Sequence, residues 1–536
     1  MILVLLATPL IIRALAQPPQ PGNAAPALQQ CASISRPEQL DYPVDTNHYR
    51  IVNPFGRPNV RYGGRIHVGD DWSRTDGLAQ GEPVRAFAPG RVTYADPTGW
   101  GRDKGVVILE HRFASGGTFY SVYGHIDETE AIDFPARGTC VDTGDVIGVI
   151  GDPRPAPHLH FEIRDFDPLE PGPGYWDIEP TVEGWFPPRE FITNWRSWLH
   201  PAYRWHYEFA TLARATVLPF MRDDGAVILV DDHFLEAYAG DGELVWQYRM
   251  ADSVDPVGMM PLDDDVLLMG VADGRVLYWD QYGGLVDQWE TGLSAIVQGP
   301  YVLPEAILLV DDAATLHIFS HGQSRIATLD SVGPIHQAAM TPQLTAFLTS
   351  AGQVYLLDTQ GSLIDSFTVD EPAAIAASPD GGVFLYTASS LAYISPDNAR
   401  EAVFDAVELA GGESAMIVDG ANSQIMVWGG DRQQLTAITL TGALAWQTQL
   451  ALPSHQGLHG VVMNLVDRCT LVLAAENGYV IMLDPRTGHI KGQLRLWGEP
   501  GDGLWLGYGV RDGLLYIRIA HQLVAYDLGK TWGCTS

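Results

Sequence analysis

Short apolar runs, cut by glycine and aspartate, fill residues 41–167. The clearest of them are PVRAFAPGRVTYAD, GVVILEHR, GTFYSVYGHI and GDVIGVIGD. Runs of this length between turn residues are typical of strands and hairpin arms, and no convincing amphipathic helix interrupts them. We therefore predict an all-β domain of roughly 125 residues, which is an ordinary domain size.

The segment DPLEPGPGYWDIEP that follows is rich in proline and glycine and predicts a domain boundary. Behind it, PREFITNWRSWL places Phe191, Trp195 and Trp198 at helical spacing. Residues 168–202 are therefore interpreted as a linker with a short helix that packs between domains.

Residues 203–536 repeat a pattern of apolar strand, turn, apolar strand, Gly-containing turn and third strand. Clear copies are AVILVDDHFLEAYAGDGELVWQY, DVLLMGVADGRVLYWDQYGGLVDQW, GQVYLLDTQGSLIDSF and NGYVIMLDPRTGHIKGQL. Eight copies recur at a spacing of roughly 37–47 residues, the size of a four-stranded propeller blade. The last copy lacks an outer strand, and RWHYEFATL ahead of the first copy could supply it. The pattern predicts a seven- or eight-bladed β-propeller that its N-terminal strand closes.

These repeats resemble the quinoprotein-alcohol-dehydrogenase-like (PQQ-like) propeller family, whose pattern G-x-V-x-x-x-D-x-x-x-G is matched best by GYVIMLDPRTG. The resemblance implies a propeller fold. It says little about function, since one fold hosts many activities.

The charge of the chain excludes one class of partner. Asp+Glu number 65 against 32 Lys+Arg, a net charge of −33. Such a surface repels phosphate backbones, so we expect no nucleic-acid partner. Residues 61–165 carry 11 basic and 16 acidic residues, so most of the excess negative charge lies elsewhere, mainly after residue 200.

The N-terminus predicts export. MILVLLATPLIIRALA, residues 1–16, is an apolar run that ends in an A-x-A cleavage pattern, although it lacks a positively charged start. It is short for a spanning helix and is broken by Pro9 and Arg13. We interpret residues 1–16 as a signal peptide, residues 17–40 as a flexible spacer, and the location as periplasmic or extracellular. No later stretch is long and apolar enough to predict a transmembrane segment in the mature chain.

Four cysteines, an even count, suggest two disulfides in an exported chain. Sequence alone allows three pairings. Their positions suggest one pair in each half, Cys31–Cys140 and Cys469–Cys534.

Candidate chemistry begins in APHLHFEIRD, where His158 and His160 stand one residue apart in a predicted strand. Residues at i and i+2 of a strand face the same way. The two imidazoles should therefore share one space, while Leu159 and Phe161 turn into a core. Such a pair favours a metal or acid–base site over a structural role.

Further candidates lie upstream. GGRIHVGDDW spaces His67 and Asp71 as H-x-x-x-D with Gly69 between them, where a glycine lets the backbone fold so that both side chains reach one ion. His125, in SVYGHIDE, stands at the end of another predicted strand. Catalytic zinc takes three ligands from the protein and one water.

The fragments H-x-G-x-D, Y-G-H and H-L-H-F-E, in this order, resemble the lysostaphin/LytM-type zinc metalloendopeptidases, which cleave peptide bonds in peptidoglycan. PVRAFAPGRV and GDVIGVIGD resemble connecting segments of that family, over about residues 60–165. The resemblance implies a β-sheet domain of the duplicated-hybrid-motif type, with His67, Asp71 and His160 as zinc ligands. His125 and His158 would be the catalytic imidazoles, with their individual roles left open.

Neighbouring polar residues have other interpretations. Asp70 could replace Asp71 as a ligand, although the family pattern favours Asp71. His111 is interpreted as a strand residue, Tyr123 as a packing or cleft residue, and Glu162 as a group that orients its neighbours. GRDKGVVILEH departs from the family, which usually has Gly-Asn before this strand, and this puts the shape of the cleft in doubt.

Three functions compete at this point. The first is an exported zinc endopeptidase acting on peptidoglycan peptides, whose propeller binds a protein partner or the wall. The second is a non-catalytic wall regulator that activates another hydrolase. The third, a quinone-dependent dehydrogenase, is disfavoured because as a class those enzymes usually carry a vicinal cysteine pair, and no two cysteines here are adjacent.

Overall fold

The computed structural model describes most of the chain after residue 30. The described ranges are 31–46, 48–166, 171–209, 217–222, 224–231, 233–251, 254–263, 265–329, 332–369, 373–387, 390–405, 414–429, 433–450, 458, 460–475, 478–496, 504–509, 513–519 and 522–530. The predicted signal peptide, most of the predicted spacer and Cys534 lie outside them. Within the described part, no helix is both long and apolar enough to cross a membrane.

The first domain is built from thirteen short strands. They are β1 (Tyr49–Asn53), β2 (Pro58–Asn59), β3 (Arg65–His67), β4 (Asp70–Arg74), β5 (Pro83–Arg85), β6 (Gly90–Asp96), β7 (Gly105–Arg112), β8 (Thr118–Asp127), β9 (Cys140–Val141), β10 (Val146–Ile150), β11 (Leu159–Arg164), β12 (Tyr175–Trp176) and β13 (Trp185–Phe186). A short 3-10 helix, Pro37–Gln39, precedes β1, and others lie between the strands at Val60–Tyr62, Gly101–Asp103 and Pro180–Glu183.

Most of these strands form one large sheet in the order β1-β4-β11-β8-β7-β6-β9, with β10 joining β8 to β5 and β13 pairing with β11. A small second sheet has the order β12-β3-β2. In β11 the side chains of Leu159, Phe161 and Ile163 enter the domain core, as the alternation of a strand requires. His160 and Glu162 consequently belong to the opposite face of the sheet.

Residues on both sides of the predicted range 41–167 are attached to the first domain. Cys31 is disulfide-bonded to Cys140, as predicted, and Ile34 is fully buried. At the other end, β12 pairs with β3 and β13 with β11. Strands of two residues carry no periodic pattern, which is why the sequence placed them in a linker.

The predicted interdomain helix is α1 (Pro188–Trp198). It packs against β11 of the first domain and against β14 (Tyr203–Glu208) of the second. The Ser197 hydroxyl is hydrogen-bonded to that of Tyr526, and Trp198 stacks on His206 with ring centroids 4.4 Å apart. The helix therefore contacts both domains.

The remaining strands form the propeller. They are β15 (Phe220–Met221), β16 (Val227–Asp231), β17 (Phe234–Tyr238), β18 (Leu244–Arg249), β19 (Pro256–Pro261), β20 (Val266–Val271), β21 (Arg275–Asp280), β22 (Leu285–Glu290), β23 (Gln298–Val302), β24 (Ala306–Val310), β25 (Leu316–Ser320), β26 (Arg325–Leu329), β27 (Ile335–Met340), β28 (Thr345–Thr349), β29 (Gln353–Leu357), β30 (Leu363–Thr368), β31 (Ala374–Ala377), β32 (Val383–Thr387), β33 (Ser390–Ile394), β34 (Arg400–Asp405), β35 (Ser414–Asp419), β36 (Gln424–Gly429), β37 (Gln434–Thr439), β38 (Leu444–Gln449), β39 (Val462–Asp467), β40 (Thr470–Ala474), β41 (Tyr479–Leu483), β42 (Ile490–Arg495), β43 (Trp505–Gly509), β44 (Leu514–Ile519) and β45 (Gln522–Asp527). A 3-10 helix, Leu528–Lys530, follows.

Together with β14, these strands make eight four-stranded sheets among the described residues, so the propeller has eight blades. The last blade has the order β14-β45-β44-β43, so the strand ahead of the first blade supplies its outer edge. The predicted closure is therefore confirmed. Cys469 is disulfide-bonded. Its predicted partner, Cys534, lies outside the described residues.

Neighbouring blades are joined through tryptophans that lie on glycines. Trp246 lies over Gly283 of the next blade, where a Cβ would stand 2.4 Å from the indole, and its Nε1 donates to the Gln281 carbonyl at 3.0 Å. Trp446 makes the same contacts with Gly488 and the Pro485 carbonyl. This close approach explains the glycine of the repeated turn.

Candidate metal centre

Three side-chain atoms converge on one point of the first domain. His67 Nε2 lies 3.0 Å from His160 Nδ1, His160 Nδ1 lies 2.9 Å from Asp71 Oδ1, and His67 Nε2 lies 3.2 Å from the same Asp71 oxygen. All three residues are buried. The structure thus brings together the three residues that the resemblance implied as ligands, from segments 93 residues apart in the chain.

The outer atoms of the two rings decide what this point can hold. His67 Nδ1 faces the Pro54 carbonyl at 3.2 Å, and His160 Nε2 faces Glu162 Oε1 at 2.8 Å. A carbonyl and a carboxylate only accept, so each outer nitrogen carries the hydrogen. The inner nitrogens and the Asp71 oxygen then present lone pairs to one another, an arrangement that needs a cation or a proton between them.

The spacing fits a divalent metal ion. Tetrahedral bonds of about 2.0–2.1 Å place ligand atoms about 3.3 Å apart, close to the 2.9–3.2 Å found here. Two nitrogens and one oxygen suit zinc without sulfur. Ligating histidines typically donate their other N–H to a carboxylate or a carbonyl, as both rings do here.

Strand pairing explains how distant residues meet. β11 lies between β4 and β8, which sets His160 opposite Asp71 on one side and opposite Gly124 on the other. His67 ends β3, and Gly69 follows it where a Cβ would stand 2.5 Å from the Phe161 carbonyl oxygen and 2.9 Å from His160 Nε2. Gly69 is therefore required by the close approach of β11.

The two further histidines lie beside this point. The rings of His125 and His158 are 4.6 Å apart, and His158 Nε2 is 3.8 Å from Asp71 Oδ1. β11 begins at Leu159, so His158 stands just ahead of the strand rather than inside it. The Nδ1 atom of His158 is hydrogen-bonded to the Ala156 carbonyl oxygen at 2.7 Å.

His125 is placed by a β-bulge. The pairing of β7 with β8 shifts from Val106↔Gly124 to Gly105↔Ile126, which leaves His125 as the extra residue. Its φ of 63° lies in the left-handed region, where a non-glycine residue is strained. Bulges re-aim side chains next to active sites, and this one brings His125 Nδ1 within 2.7 Å of the Asp103 carbonyl.

Burial and charge separate the histidines electrostatically. Burial disfavours the cation of His160, but hydrogen bonds to Asp71 and Glu162 outweigh it and raise its pKa to about 9. Burial, with the neighbouring His158 and His160, lowers the pKa of His125 to about 3. Burial alone would raise the pKa of Asp71, but hydrogen bonds to His160 and His67 hold it well below the usual value. His125 is therefore neutral at pH 7 and Asp71 is ionised.

The other polar candidates have separate partners. Asp70 accepts from the Phe55 amide at 3.0 Å and the Arg189 amide at 3.3 Å, and burial raises its pKa. His111 is fully buried, and Tyr123 accepts from the Phe87 amide at 2.9 Å. Asp70, His111 and Tyr123 lie outside the three-atom cluster.

Glu162 orients its neighbours, as expected. Besides holding His160, it accepts from Trp185 Nε1 at 3.2 Å and lies 3.5 Å from Arg164. Burial would raise its pKa, but Arg164 and the hydrogen bonds lower it. Glu162 is therefore an ionised, fixed acceptor for the outer nitrogen of His160.

Two aromatic residues at this site were missed by the sequence analysis. Trp100 packs its ring 4.8 Å from that of His125 and 5.3 Å from that of His160, and its Nε1 donates to the Gly172 carbonyl at 2.8 Å. Tyr175 lies 5.0 Å from the His67 ring. Trp100 precedes a single-turn helix and Tyr175 lies in a two-residue strand, and elements this short show no periodic pattern that marks a side chain as part of a site.

A cleft of about 960 Å³ opens over the cluster. Its walls include the five histidine and aspartate candidates, Trp100, Tyr175 and two arginines. Residues 66–171 match the model of peptidase family M23. The first domain is similar to the M23 peptidases over these residues. This confirms the resemblance drawn from the three histidine-containing motifs.

The second domain matches a propeller model. Residues 350–505 match the model described as outer membrane protein assembly factor BamB, which confirms the PQQ-like resemblance of the repeats. The first domain is therefore similar to M23 peptidases and the second to PQQ-like propellers. A search of curated proteins gives no match.

Several solved structures are similar to the chain. BamB from Moraxella catarrhalis is 13% identical, with 61% of this chain and 99% of that chain covered and a TM-score of 0.46. The computationally designed Ika8 protein is 13% identical, with 58% and 95% covered and a TM-score of 0.44. Chaetomium thermophilum Sqt1, bound to the N-terminus of ribosomal protein L10, is 14% identical, with 56% and 93% covered and a TM-score of 0.43. All three TM-scores are below 0.5. The eight blades are defined by the strand pairing of this chain.

Proposed function

We propose that this chain is an exported zinc metalloendopeptidase that hydrolyses peptide bonds of peptidoglycan stem peptides or cross-bridges. The observation that supports it is the convergence of His67 Nε2, Asp71 Oδ1 and His160 Nδ1, all within 3.2 Å of one another. Their outer nitrogens are held by acceptors, so the three inner atoms point their lone pairs at one cation.

In this proposal His67, Asp71 and His160 hold the zinc ion. When bound, a zinc ion would act as a Lewis acid that lowers the pKa of water and polarises the carbonyl of the substrate. Glu162 keeps the hydrogen of His160 on Nε2, so that Nδ1 stays free for the metal. Trp100 excludes water from one side of the His125 and His160 rings.

The two remaining imidazoles handle protons. The Asp103 and Ala156 carbonyls fix the hydrogen of His125 and His158 on Nδ1. Each ring therefore presents Nε2, the nitrogen that can take a proton from an attacking water and later give it to the leaving amine. Once protonated, the same Nε2–H can also steady a developing oxyanion. Which ring performs which step stays open.

The substrate class and the location come from different observations. A peptide substrate follows from the M23 match, and peptidoglycan from the likeness to lysostaphin/LytM-type enzymes. Export is supported by the leader-like residues 1–16 and by the Cys31–Cys140 disulfide, which belongs to an oxidising compartment.

The propeller is proposed to bind a protein partner. Most of the net charge of −33 lies outside the peptidase region, so the propeller would not be drawn electrostatically to anionic wall polymers. A protein partner or a cation-dependent contact suits such a surface better.

The test compares metal content and cleavage in the full chain. We expect about one zinc per chain and release of fragments from isolated cell walls, both abolished by a strong chelator. His160→Ala should lose zinc and cleavage, whereas His125→Ala should lose cleavage and keep zinc. His48→Ala is the matched control, because His48 pairs with Asp76 away from the cluster.

Full cleavage by both His160→Ala and His125→Ala would overturn the assignment of the site. A wild-type chain that binds no zinc and cleaves no wall would instead favour the non-catalytic regulator.

A further inference from the structure

A hairpin tip carries an arginine to the rim of the peptidase cleft. β2 and β3 pair through Asn59↔Arg65, and residues 60–64 form the turn between them. The tip is strongly exposed, with Val60 92% and Tyr62 56% accessible. Arg61 sits on this tip, is exposed and lines the cleft.

The backbone of the tip is fixed rather than free. The Asn59 side chain accepts from the Arg61 amide at 3.0 Å, and Gly63 closes the turn in the left-handed conformation. Asn59 Nδ2 also donates to the Tyr175 hydroxyl at 3.0 Å, while the Tyr62 ring stacks on that of Tyr175 with centroids 4.3 Å apart. The tip is thereby attached to the residue that covers His67.

Among the described residues, no carboxylate pairs with the guanidinium of Arg61. The other arginine of the cleft wall, Arg154, lies 3.5 Å from Asp103. Arg65, next to the tip, is paired with Asp177 at 2.8 Å. Within the part of the chain that the structure describes, the Arg61 side chain makes no ion pair. It is therefore a cation available to whatever enters the cleft.

The backbone of Arg61 stands away from the metal cluster, at the rim of the cleft. A strand rises about 3.3 Å per residue, so the tip lies roughly 10 Å beyond His67. A peptide bound in extended form spans about 3.3–3.6 Å per residue. The guanidinium would therefore meet a substrate residue several positions from the scissile bond.

We propose that Arg61 is a specificity-determining residue of this cleft, and that its guanidinium binds a carboxylate of the peptide substrate. Guanidinium and carboxylate pair through two parallel N–H···O bonds, which makes arginine a selective reader of that group. The proposal rests on the proposed peptidase function and adds the chemical class of the substrate, an acidic peptide.

The net charge of the chain does not oppose this contact. At physiological ionic strength charges are screened beyond about 8 Å. Distant carboxylates of the propeller therefore weigh little against a direct pair at the cleft rim. Arg61 would select acidic peptides locally while the chain as a whole stays anionic.

The experiment uses cell-wall sacculi with free carboxylates and the same sacculi amidated with carbodiimide and ammonia. Fragment release is measured for the full chain and for Arg61→Ala, Arg61→Lys and Arg57→Ala. Arg57 is an exposed arginine four residues away that does not line the cleft. Sedimentation with sacculi of chains that also carry His125→Ala reports binding without cleavage.

We expect amidation to lower kcat/KM of the wild type about tenfold, mainly through KM, as the loss of one charge-assisted pair implies. On untreated sacculi, Arg61→Ala should show a kcat/KM about tenfold below that of the wild type. Amidation should not lower the kcat/KM of this variant further. Arg61→Lys should recover part of the loss, and Arg57→Ala should behave as wild type. Sedimentation should follow the same order.

Equal sensitivity of wild type and Arg61→Ala to amidation, in both release and sedimentation, would overturn the proposal. If the wild type releases nothing from either wall, the peptidase function fails. Sedimentation then still decides whether Arg61 binds carboxylates.

Discussion

His160 Nε2 lies 2.8 Å from Oε1 of Glu162, two residues along the same strand. Alternation along β11 places both side chains on the face opposite the core, so the ligand and the group that orients it come from a single strand. Glu162 is in turn held by Trp185 and Arg164. The cluster depends on this chain of contacts as well as on its three inner atoms.

Glu162→Gln should therefore weaken metal binding. An amide in place of the carboxylate is a poorer acceptor for the outer N–H, and such changes typically cost about 10–100-fold in metal affinity. Competition with a fluorescent zinc chelator measures it. Glu110→Gln is the matched control, since Glu110 is also buried in the sheet but pairs with Arg91 and Arg112. Equal losses in both variants would contradict the role of Glu162.

Zinc affinity should rise with pH and level off near pH 9. In the metal-free chain burial is outweighed by hydrogen bonds that raise the pKa of His160 to about 9, so the metal must displace a proton at lower pH. The apparent affinity should increase about tenfold per pH unit below that value. Chelator competition from pH 6 to 9.5 tests the slope, and a flat profile would count against proton displacement.

Trp100→Ala should lower kcat while leaving the zinc content near one per chain. The indole contacts the His125 and His160 rings, not the converging atoms, and displacing a catalytic group by about 1 Å can cost on the order of 100-fold. Trp100→Phe keeps an aromatic ring and loses only the bond to Gly172, so its loss should be smaller. Trp198→Ala, at the domain interface, is the control. A purely structural role would lower both zinc content and kcat.

The first domain should lose stability in acid through His111. Burial lowers its pKa to about 4, while the unfolded value is near 6.5. Between pH 6.5 and 4 the unfolded chain binds a proton at His111 that the folded chain does not bind. The free energy of unfolding should therefore be highest above pH 6.5 and fall by about 3 kcal/mol as the pH drops to 4. Hydrogen exchange in β7 and β8 should show a smaller decrease for His111→Gln. An unchanged pH dependence would contradict this assignment.

Removal of β14 should destabilise the propeller. A chain that begins at residue 210 lacks the outer strand of the last blade, which leaves β45 with an open edge. A chain that begins at residue 200 keeps Tyr203–Glu208 and is the control. Size-exclusion chromatography and near-ultraviolet circular dichroism compare them, and two equally compact monomers would argue against the need for closure.

Much of the site was predictable because its chemistry is concentrated in short motifs. His67, Asp71, His125, His158 and His160 stand in three segments whose order matches a known family, and strand alternation alone predicted that His160 faces away from Phe161. The blades were predictable because each repeat carries its own apolar alternation, and the ring closure followed from one missing strand.

The features of the site that the sequence did not predict are those that depend on tertiary contacts. Trp100 precedes a single-turn helix and Tyr175 belongs to a two-residue strand, and neither length carries a period. The bulge at His125 depends on how β7 and β8 register. Arg61 could have been noticed only as a charge that pairs with none of the described acidic residues, and only the fold shows which residues lie near it.

Only residues 199–202 join α1 to the strand that completes the ring. A connection this short limits how far the first domain can move relative to the propeller. If the proposed partner held the propeller, the cleft would reach only the peptide bonds close to that partner, and more distant bonds would stay intact however well they fit the cleft.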